Sequence, residues 1–172
     1  MSSPSYFIDD LSLPSGQTPR GTAWELISDR VMGGVSNGTL AHSIIEGRPA
    51  LRMTGTVSLE NDGGFLQMAL DLRPDGQGID ASGYTGLALN VVGNDQRYNV
   101  HLRTADVTRP WQSYRAEFAA PGHWTTIKLP FSEFTPHRLS APLDLSSLRR
   151  VGLVGIGRAF AADLALGDLR FY

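Results

Sequence analysis

Apolar and polar residues alternate along most of the chain, and the dominant period is two. One run carries Leu51, Met53, Val57 and Leu59 on one face, and further runs cover residues 66–72, 87–91, 98–102 and 114–118. Alternation of this kind turns one face of a strand towards a core and the other towards solvent or a ligand. No stretch of twelve residues sustains a helical pattern, although residues 143–150 could form one or two turns. The pattern therefore predicts a chain of short strands.

Turn-forming residues separate these runs. They are Asn-Asp-Gly-Gly at 61–64, Pro-Asp-Gly at 74–76, Gly-Asn-Asp at 93–95 and Pro-Gly at 121–122. Gly and Asn tolerate positive φ, and Pro presets the entry into a turn. Strands that recur at this spacing are typical of an antiparallel β-sandwich or jelly roll. Because the sequence contains no internal repeat, low-complexity tract or linker, we expect a single all-β domain over residues 1–172.

Composition and charge narrow the classes of function. The chain has 172 residues, 41% of them hydrophobic, and no cysteine, so it can bury a core without disulfides and has no thiolate chemistry. Its net charge of -2 gives no reason to expect nucleic acid as a partner. The N-terminal residues resemble neither a secretory signal nor a mitochondrial presequence, and no apolar run reaches the roughly 18 residues that span a bilayer. We expect a bacterial cytoplasmic protein without membrane insertion.

Common catalytic and metal-binding patterns are missing. No two of the four histidines are spaced as metal ligands usually are. Glu60 and Asp62 could help to hold a structural calcium, but a solvated turn explains them better. Residues 152–158 lack the last glycine of a dinucleotide loop and instead predict a strand whose small residues allow close approach. We expect no catalytic residue, no metal and no cofactor, and a glycosidase with paired carboxylates has no supporting signature.

One polar constellation remains after these exclusions. On residues 97–103, Asn99, His101 and Arg103 lie opposite the apolar stripe, Arg115 occupies the equivalent face of residues 112–118, and Trp111 lies in the loop between. If the two strands pair, this candidate partner face could bind a sugar, a carboxylate or a peptide, with arginine as a bidentate donor. The alternative is an ordinary solvent-exposed face with cross-strand Arg–Glu pairs.

The segment SDRVMGGVS, residues 28–36, looks at first like an active-site loop or a phosphate cradle. It lacks the P-loop pattern, so we interpret it as a structural turn. We expect Asp29 to bond nearby backbone N–H groups, and Ser36 to add another local hydrogen bond at the exit. Gly33 and Gly34 are expected to supply backbone angles that other residues resist, with a positive φ at Gly34.

The other residues of this segment divide between core and surface. Val31 and Met32 are expected to pack beneath the sandwich, where methionine fills irregular gaps. Arg30 is expected to be exposed. Among the aromatic residues, Tyr98 and Tyr114 fall on the apolar faces of their strands, so packing is favoured over a stacking platform for a ligand.

Several sequence blocks together identify a family resemblance. In order, they are Trp24 with SDRVMGGVS (28–36), ENDGGF (60–65), YNVHLRT (98–104), SYRAEF (113–118), HWTTIKLPFSEFTP (123–136) and, more loosely, LALGDLRFY (164–172). In these blocks the chain resembles the complex I intermediate-associated protein 30 family. The positions of the family's structural loops are Trp24, Asp29, Met32, Gly33, Gly34, Ser36, Asn61, Gly63 and Gly64.

The resemblance implies a galactose-binding-like β-sandwich with no established catalytic activity. Mitochondrial members of the family act as assembly chaperones for respiratory complex I, and plant and cyanobacterial relatives serve photosystem biogenesis. It therefore implies a non-catalytic assembly factor that contacts a protein subunit or intermediate of a larger membrane complex and lies peripheral to the membrane through that partner. The alternative is a carbohydrate-binding module of the same fold, with a carbohydrate as ligand.

Overall fold

The computed structural model describes residues 6–13, 16–62 and 64–172. Within these ranges the chain forms strands and four single 3-10 turns, at Asp29–Met32, Glu60–Asp62, Phe131–Glu133 and Leu145–Ser147. The strands are β1 (Tyr6–Asp9), β2 (Glu25–Ser28), β3 (Asn37–Ile45), β4 (Arg48–Val57), β5 (Phe65–Asp71), β6 (Gly86–Val92), β7 (Gln96–Thr104), β8 (Ser113–Ala120), β9 (Thr125–Pro130), β10 (Thr135–His137), β11 (Leu148–Ile156) and β12 (Phe160–Phe171). The predicted all-β class is confirmed.

The strands form two antiparallel sheets. In the first sheet the order is β3-β4-β12-β6-β9, and β1 also pairs with β12. In the second sheet the order is β10-β8-β7-β11-β5-β2. Many neighbouring strands are far apart in sequence; β12, for example, pairs with β4 along residues 160–166 and with β6 along residues 165–171. Each sheet can therefore form only when distant segments of the chain meet.

The hydrophobic core consists of the inward-facing residues of the alternating runs, drawn from both sheets. Tyr98, Val100 and Leu102 of β7 are buried, as are Tyr114 and Phe118 of β8. The prediction that these tyrosines pack in the core is confirmed. Full burial of one large apolar side chain contributes roughly 1.5–3 kcal/mol, so the alternation supplies the main driving force for sheet stacking.

Leu59 departs from the predicted inward stripe. It is 51% exposed, whereas Val57, two residues earlier, is fully buried. The alternation stops because β4 ends at Val57 and the chain turns into the 3-10 segment at Glu60. A similar boundary error affects residues 143–150, where only Leu145–Ser147 form a turn and β11 begins at Leu148.

The glycine-rich segment at 152–158 lies largely in β11, as predicted. A Cβ on Gly152 would lie 2.3 Å from the Gln67 side-chain oxygen, and one on Gly155 would lie 2.8 Å from the Phe160 ring. These glycines allow the close approach of neighbouring side chains. Among the described residues, no helix is long and apolar enough to cross a membrane.

Candidate functional site

A groove of about 710 Å³ crosses the outer face of the second sheet, opposite the core. Its floor comes from outward-facing residues of the strands, and its walls come from the loop before β8 and the 3-10 turn after β2. The residues that line it are Ile27, Val31, Gly64, Phe65, Gln67, Asp71, His101, Arg103, Pro110, Trp111, Gln112, Ser113, Arg115, His137, Arg149, Arg150, Gly152, Val154, Ile156 and Gly157.

Strand pairing brings most of the predicted partner face into this groove. β7 and β8 are antiparallel neighbours, and His101 lies directly opposite Arg115. His101, Arg103, Trp111 and Arg115 all line the groove. Asn99 shares their strand face but pairs with Glu117, one row further along the sheet and outside the groove lining. Whether these side chains bind a partner stays a prediction.

Beyond the groove, the same sheet face carries an ordinary cross-strand ion pair. Arg97 of β7 and Glu117 of β8 approach to 3.5 Å, and both side chains are largely exposed. A pair of this kind contributes about 0.2–1 kcal/mol. The two interpretations of the polar face thus apply to different parts of it: an exposed Arg–Glu pair at one end and a groove at the other.

Arg103 and Arg115 have no carboxylate partner among the side chains that the structure describes. Arg103 donates one hydrogen bond of 3.2 Å to the Pro110 carbonyl, and Arg115 donates one of 2.8 Å to the Ser113 hydroxyl. Burial, followed by the charges of the neighbouring Arg150 and Arg149, lowers the pKa of Arg103. Both guanidinium groups retain unused donors that can face a ligand.

Burial also lowers the pKa of Arg115, and the nearby Arg138 charge adds to the effect. His101 responds to the same surroundings: burial, Arg115 and His137 lower its pKa to about 3. The imidazole is therefore neutral near pH 7. Its Nε2 atom is buried and has no hydrogen-bond partner, so it is an unused polar atom in the groove lining.

Two further arginines line the groove, and sequence reasoning missed both of them. Arg150 contacts Asp71 at 2.7 Å and Glu25 at 3.8 Å, so its charge is balanced. Arg149 donates a hydrogen bond to the Gly76 carbonyl. The alternation of buried Val151 and Leu153 could have placed Arg150 on the outer face of β11. His137, on the short β10, carried no comparable signal, because its pairing with Ser113 is a tertiary contact.

The other end of the groove is apolar. Phe65 and Ile156 pair across β5 and β11, and Val31 stands beside them on the 3-10 turn. Val31 is 74% exposed, so the prediction that it packs beneath the sandwich is wrong. The turn projects Val31 outward because its anchoring residue, Asp29, is the one that points inward and is fully buried. The side chain of Met32 lies outside the described part of the structure.

Asp29 joins the two family loops. Its Oδ1 accepts a hydrogen bond of 2.9 Å from the Ser36 N–H, and its Oδ2 accepts one of 2.5 Å from the Ser36 hydroxyl. Oδ2 also accepts from the N–H groups of Gly64 and Phe65, at 2.5 and 3.2 Å. Burial raises the pKa of Asp29, but these hydrogen bonds outweigh it and hold the pKa below its usual value. The predicted Asp29 and Ser36 contacts are confirmed, and they fix one wall of the groove.

The glycine pair acts differently from the prediction. Gly33, with a φ of 88°, takes the left-handed conformation that ends the 3-10 turn. Gly34 has no positive φ; a Cβ there would lie 2.5 Å from the Asp29 carboxylate. Asn61 has a φ of 56° and Gly64 one of 136° in the facing loop, whereas Gly63 lies outside the described residues. Arg30 is exposed, as predicted.

Trp24, the first residue of the family pattern, is a buried anchor. Its indole N–H donates a hydrogen bond of 2.8 Å to the Asp9 carboxylate, which also accepts from the Leu11 N–H. Burial is the main reason that the pKa of Asp9 is raised. This contact ties β1 to the segment that precedes β2, and the pattern of residues around Asp9 gave no hint of it.

The groove lining is poor in acidic side chains. Asp71 is its one carboxylate, and Arg150 holds it. Glycoside hydrolysis by the usual mechanism requires two carboxyl groups. Among the described residues, no group of three or more histidine, aspartate or glutamate side chains is placed to hold a metal ion. The groove is equipped to bind by charge, hydrogen bonds and apolar contact.

Comparison with known families identifies the chain. The model of the complex I intermediate-associated protein 30 family matches residues 15–166. The chain belongs to this family. The resemblance drawn from the sequence blocks is thereby confirmed. No curated protein is significantly similar in sequence to the chain.

Solved structures show the same fold. The family 11 carbohydrate-binding module from Clostridium thermocellum, in complex with a β-1,3-1,4-mixed-linked tetrasaccharide, superposes with a TM-score of 0.73 at 14% identity, covering 99% of this chain and 96% of the module. The family 30 module of a cellulosomal cellulase of that organism gives 0.65 at 16% identity, covering 99% and 98%. These similarities confirm the jelly-roll sandwich and, at such identities, nothing beyond it.

Proposed function

We propose that this chain is a non-catalytic assembly-factor domain that binds a protein subunit or intermediate of a respiratory, complex I-type, or photosynthetic membrane complex. The observation that carries the proposal is the family match over residues 15–166, which spans nearly the whole chain. The domain acts at the membrane through its partner. It needs no cofactor, because its role is to hold a partly assembled protein.

The groove is the proposed contact surface for this partner. His101, Arg103, Trp111 and Arg115 contribute spare donors and an exposed aromatic side chain, and Asn99 extends the polar face beyond the groove. Trp111 is 51% exposed, and tryptophan is enriched among the residues that contribute most of the binding energy at protein interfaces. The single, salt-bridged carboxylate in the lining favours binding over chemistry.

Deletion of the gene in its host tests the proposal. We expect the deletion strain to accumulate subassemblies of one membrane complex on native gels, and the wild-type gene to restore the mature complex. The Arg103→Ala, Arg115→Ala double variant should restore it poorly. The matched Arg52→Ala, Arg73→Ala variant, which removes two arginines outside the groove, should restore it fully. Normal assembly of respiratory and photosynthetic complexes in the deletion strain would contradict the proposal.

A carbohydrate-binding module is the second candidate. The observation that favours it is Trp111, an exposed aromatic ring at the groove wall where a sugar could stack. In affinity gels that contain mixed-linkage β-glucan, this candidate predicts retardation of the wild type and loss of retardation in Trp111→Ala. A glycan array without hits would eliminate it.

A further inference from the structure

The groove has two chemically different halves. Arg103, Arg115 and Arg150 form the cationic half, over β8, β7 and the start of β11. Val31, Phe65 and Ile156 form the apolar half, beside the 3-10 turn and the end of β11. Arg150 and Ile156 are six positions apart on the same face of β11, which at about 3.3 Å per residue separates the two halves by roughly 20 Å. One extended ligand can contact both.

The cationic half carries uncompensated charge. Asp71 and Glu25 balance Arg150, but Arg103 and Arg115 have no carboxylate within 4.0 Å among the described side chains. The chain as a whole has a net charge of -2, so this positive surface is local and does not reflect a basic protein. A ligand with carboxylates at this end would supply the missing partners, and guanidinium groups can hold carboxylates by paired hydrogen bonds.

The surroundings of Arg103 and Arg115 also favour an anionic ligand. Both side chains are partly buried, and burial together with the positive charges around each lowers their pKa values. A partly desolvated cation without a counterion is unfavourable, and an anion in the groove relieves that cost. The spare Nε2 of His101, which lies opposite Arg115, can take part in a further hydrogen bond to the same ligand.

The apolar half distinguishes between classes of anionic ligand. Val31 is 74% exposed, and it lies beside Phe65 and Ile156 in the groove lining. A neutral sugar leaves the arginines unpaired, and a glycan of repeating acidic sugars brings charge to the apolar half as well. A polypeptide can change from acidic to apolar side chains within a few residues.

We infer that the groove binds an extended peptide segment in which acidic residues adjoin apolar ones, with the acidic side chains on Arg103 and Arg115 and the apolar side chains against Val31, Phe65 and Ile156. Roughly six extended residues span the distance between the two halves. This inference rests on the proposed function, since it defines the chemistry of the partner segment.

Fluorescent peptides test the inference on the unmodified protein. The probes are Glu-Glu-Glu-Gly-Leu-Val-Leu, the reversed order, a version with Gln in place of each Glu, and a version with Ser in place of each apolar residue. We expect one of the two amphipathic orders to bind, and its Gln and Ser versions to bind at least ~10-fold more weakly by fluorescence anisotropy. Equal affinity of the Gln version overturns the inference, and so does failure of both amphipathic orders.

Variants then locate the contacts. The double variant Arg103→Gln, Arg115→Gln should bind the Glu peptide about as weakly as the wild-type protein binds the Gln peptide. It should bind the Gln peptide no more weakly than the wild type does, because the change in the protein and the change in the peptide remove the same contact. Val31→Ser should weaken binding of the apolar end of the peptide. Because Val31 is exposed, this substitution should leave the fold intact. Arg52→Gln with Arg73→Gln is the matched control and should bind as the wild type does. Equal losses in the control place binding elsewhere and overturn the inference.

Two further measurements distinguish other possible occupants of the groove. Displacement of the peptide by mixed-linkage tetrasaccharide at lower concentration than by unlabelled peptide would assign the groove to carbohydrate. A wild-type dimer in sedimentation that Val31→Ser dissociates would assign it to a second copy of the chain. Peptide binding without an assembly defect in the deletion strain would support the inference and contradict the proposed function. An assembly defect without peptide binding would contradict the inference and support the proposed function.

Discussion

Asp29 shows how one side chain can account for a family motif. Its carboxylate accepts hydrogen bonds from Ser36 in its own loop and from Gly64 and Phe65 in the facing loop, and the side chain is fully buried. Ser36 extends the contact by accepting a hydrogen bond of 2.8 Å from the Ser58 N–H. In this chain the side chains of these two loops therefore form a structural joint beside the groove.

Asp29→Asn tests this joint. An amide offers one acceptor oxygen where the carboxylate offers two, so at least one buried N–H loses its partner, and we expect the free energy of unfolding to fall by roughly 2–4 kcal/mol in urea titrations. Because the folded-state pKa of Asp29 lies below its usual value of 3.8, its contribution is present above that pH and is lost as pH falls through the folded pKa. The gap between wild type and variant should therefore narrow under strong acid. Asp106→Asn, at an exposed site, is the control.

His101 should cause a second pH dependence of the free energy of unfolding, over a different pH range. Its folded-state pKa is about 3 against a usual 6.5, so the unfolded state binds a proton that the folded state rejects between these values. Stability should fall on acidification through this window, by at most about 1.4 kcal/mol per pH unit from this group. His101→Gln should flatten the curve between pH 6.5 and 3, as measured by urea titration at each pH. His123→Gln, at an exposed histidine outside the groove, is the matched control.

At the scale of secondary-structure elements, the sequence pattern predicts the strands but not the roles of individual turn residues. The alternation in β5, β6, β7 and β8 predicted their existence and their buried faces, because burial of every second residue is a local property of a strand. The turn at Asp29–Met32 was expected as a turn, but the roles of its residues were not. Val31 points outward and Gly34 makes room for Asp29, and both follow from a contact with a loop 35 residues further along the chain.

The two glycines after this turn should respond differently to substitution. At Gly33 the cost is conformational, so Gly33→Asn should be mild, because asparagine tolerates the left-handed region. At Gly34 the cost is steric, and Gly34→Ala should lower the free energy of unfolding by about 1–3 kcal/mol, because its Cβ meets the Asp29 carboxylate. Thermal unfolding of both variants measures the contrast. A larger loss for Gly33→Asn than for Gly34→Ala would contradict this assignment.

The distribution of charge is the main feature at the scale of the whole molecule. A chain with a net charge of -2 concentrates four of its arginines in the lining of one groove, where Asp71 is their one acidic neighbour in that lining. The four arginines come from β7, β8 and β11, and the order of the second sheet alone brings these strands together. Such a local surface is suited to partner recognition and does not make the protein a general binder of anions.

Removal of Arg103 and Arg115 should separate binding from stability. Since neither has a carboxylate partner among the described side chains and burial disfavours both charges, the double alanine variant should unfold within about 1 kcal/mol of the wild type. The double variant should bind the partner more weakly than the wild type does. Binding of the partner by the wild type should itself weaken between 0.1 and 1 M salt, because the Debye screening length falls from ~10 Å to ~3 Å over this range. An unfolded double variant would show that the two arginines are structural. Capture that is insensitive to salt would contradict an electrostatic contact.

By itself the sequence determined the all-β class, the main strands, the buried faces and the family, since periodicity, turn chemistry and motif order are properties of short segments. It also predicted that His101, Arg103, Arg115 and Trp111 would share a surface, because one hairpin-like pairing of β7 and β8 is enough to align them. Only the tertiary structure added Arg150 and the apolar half with Val31 and turned a polar face into a groove. Those features depend on which distant strands become neighbours, and that choice is made by the packing of the whole core.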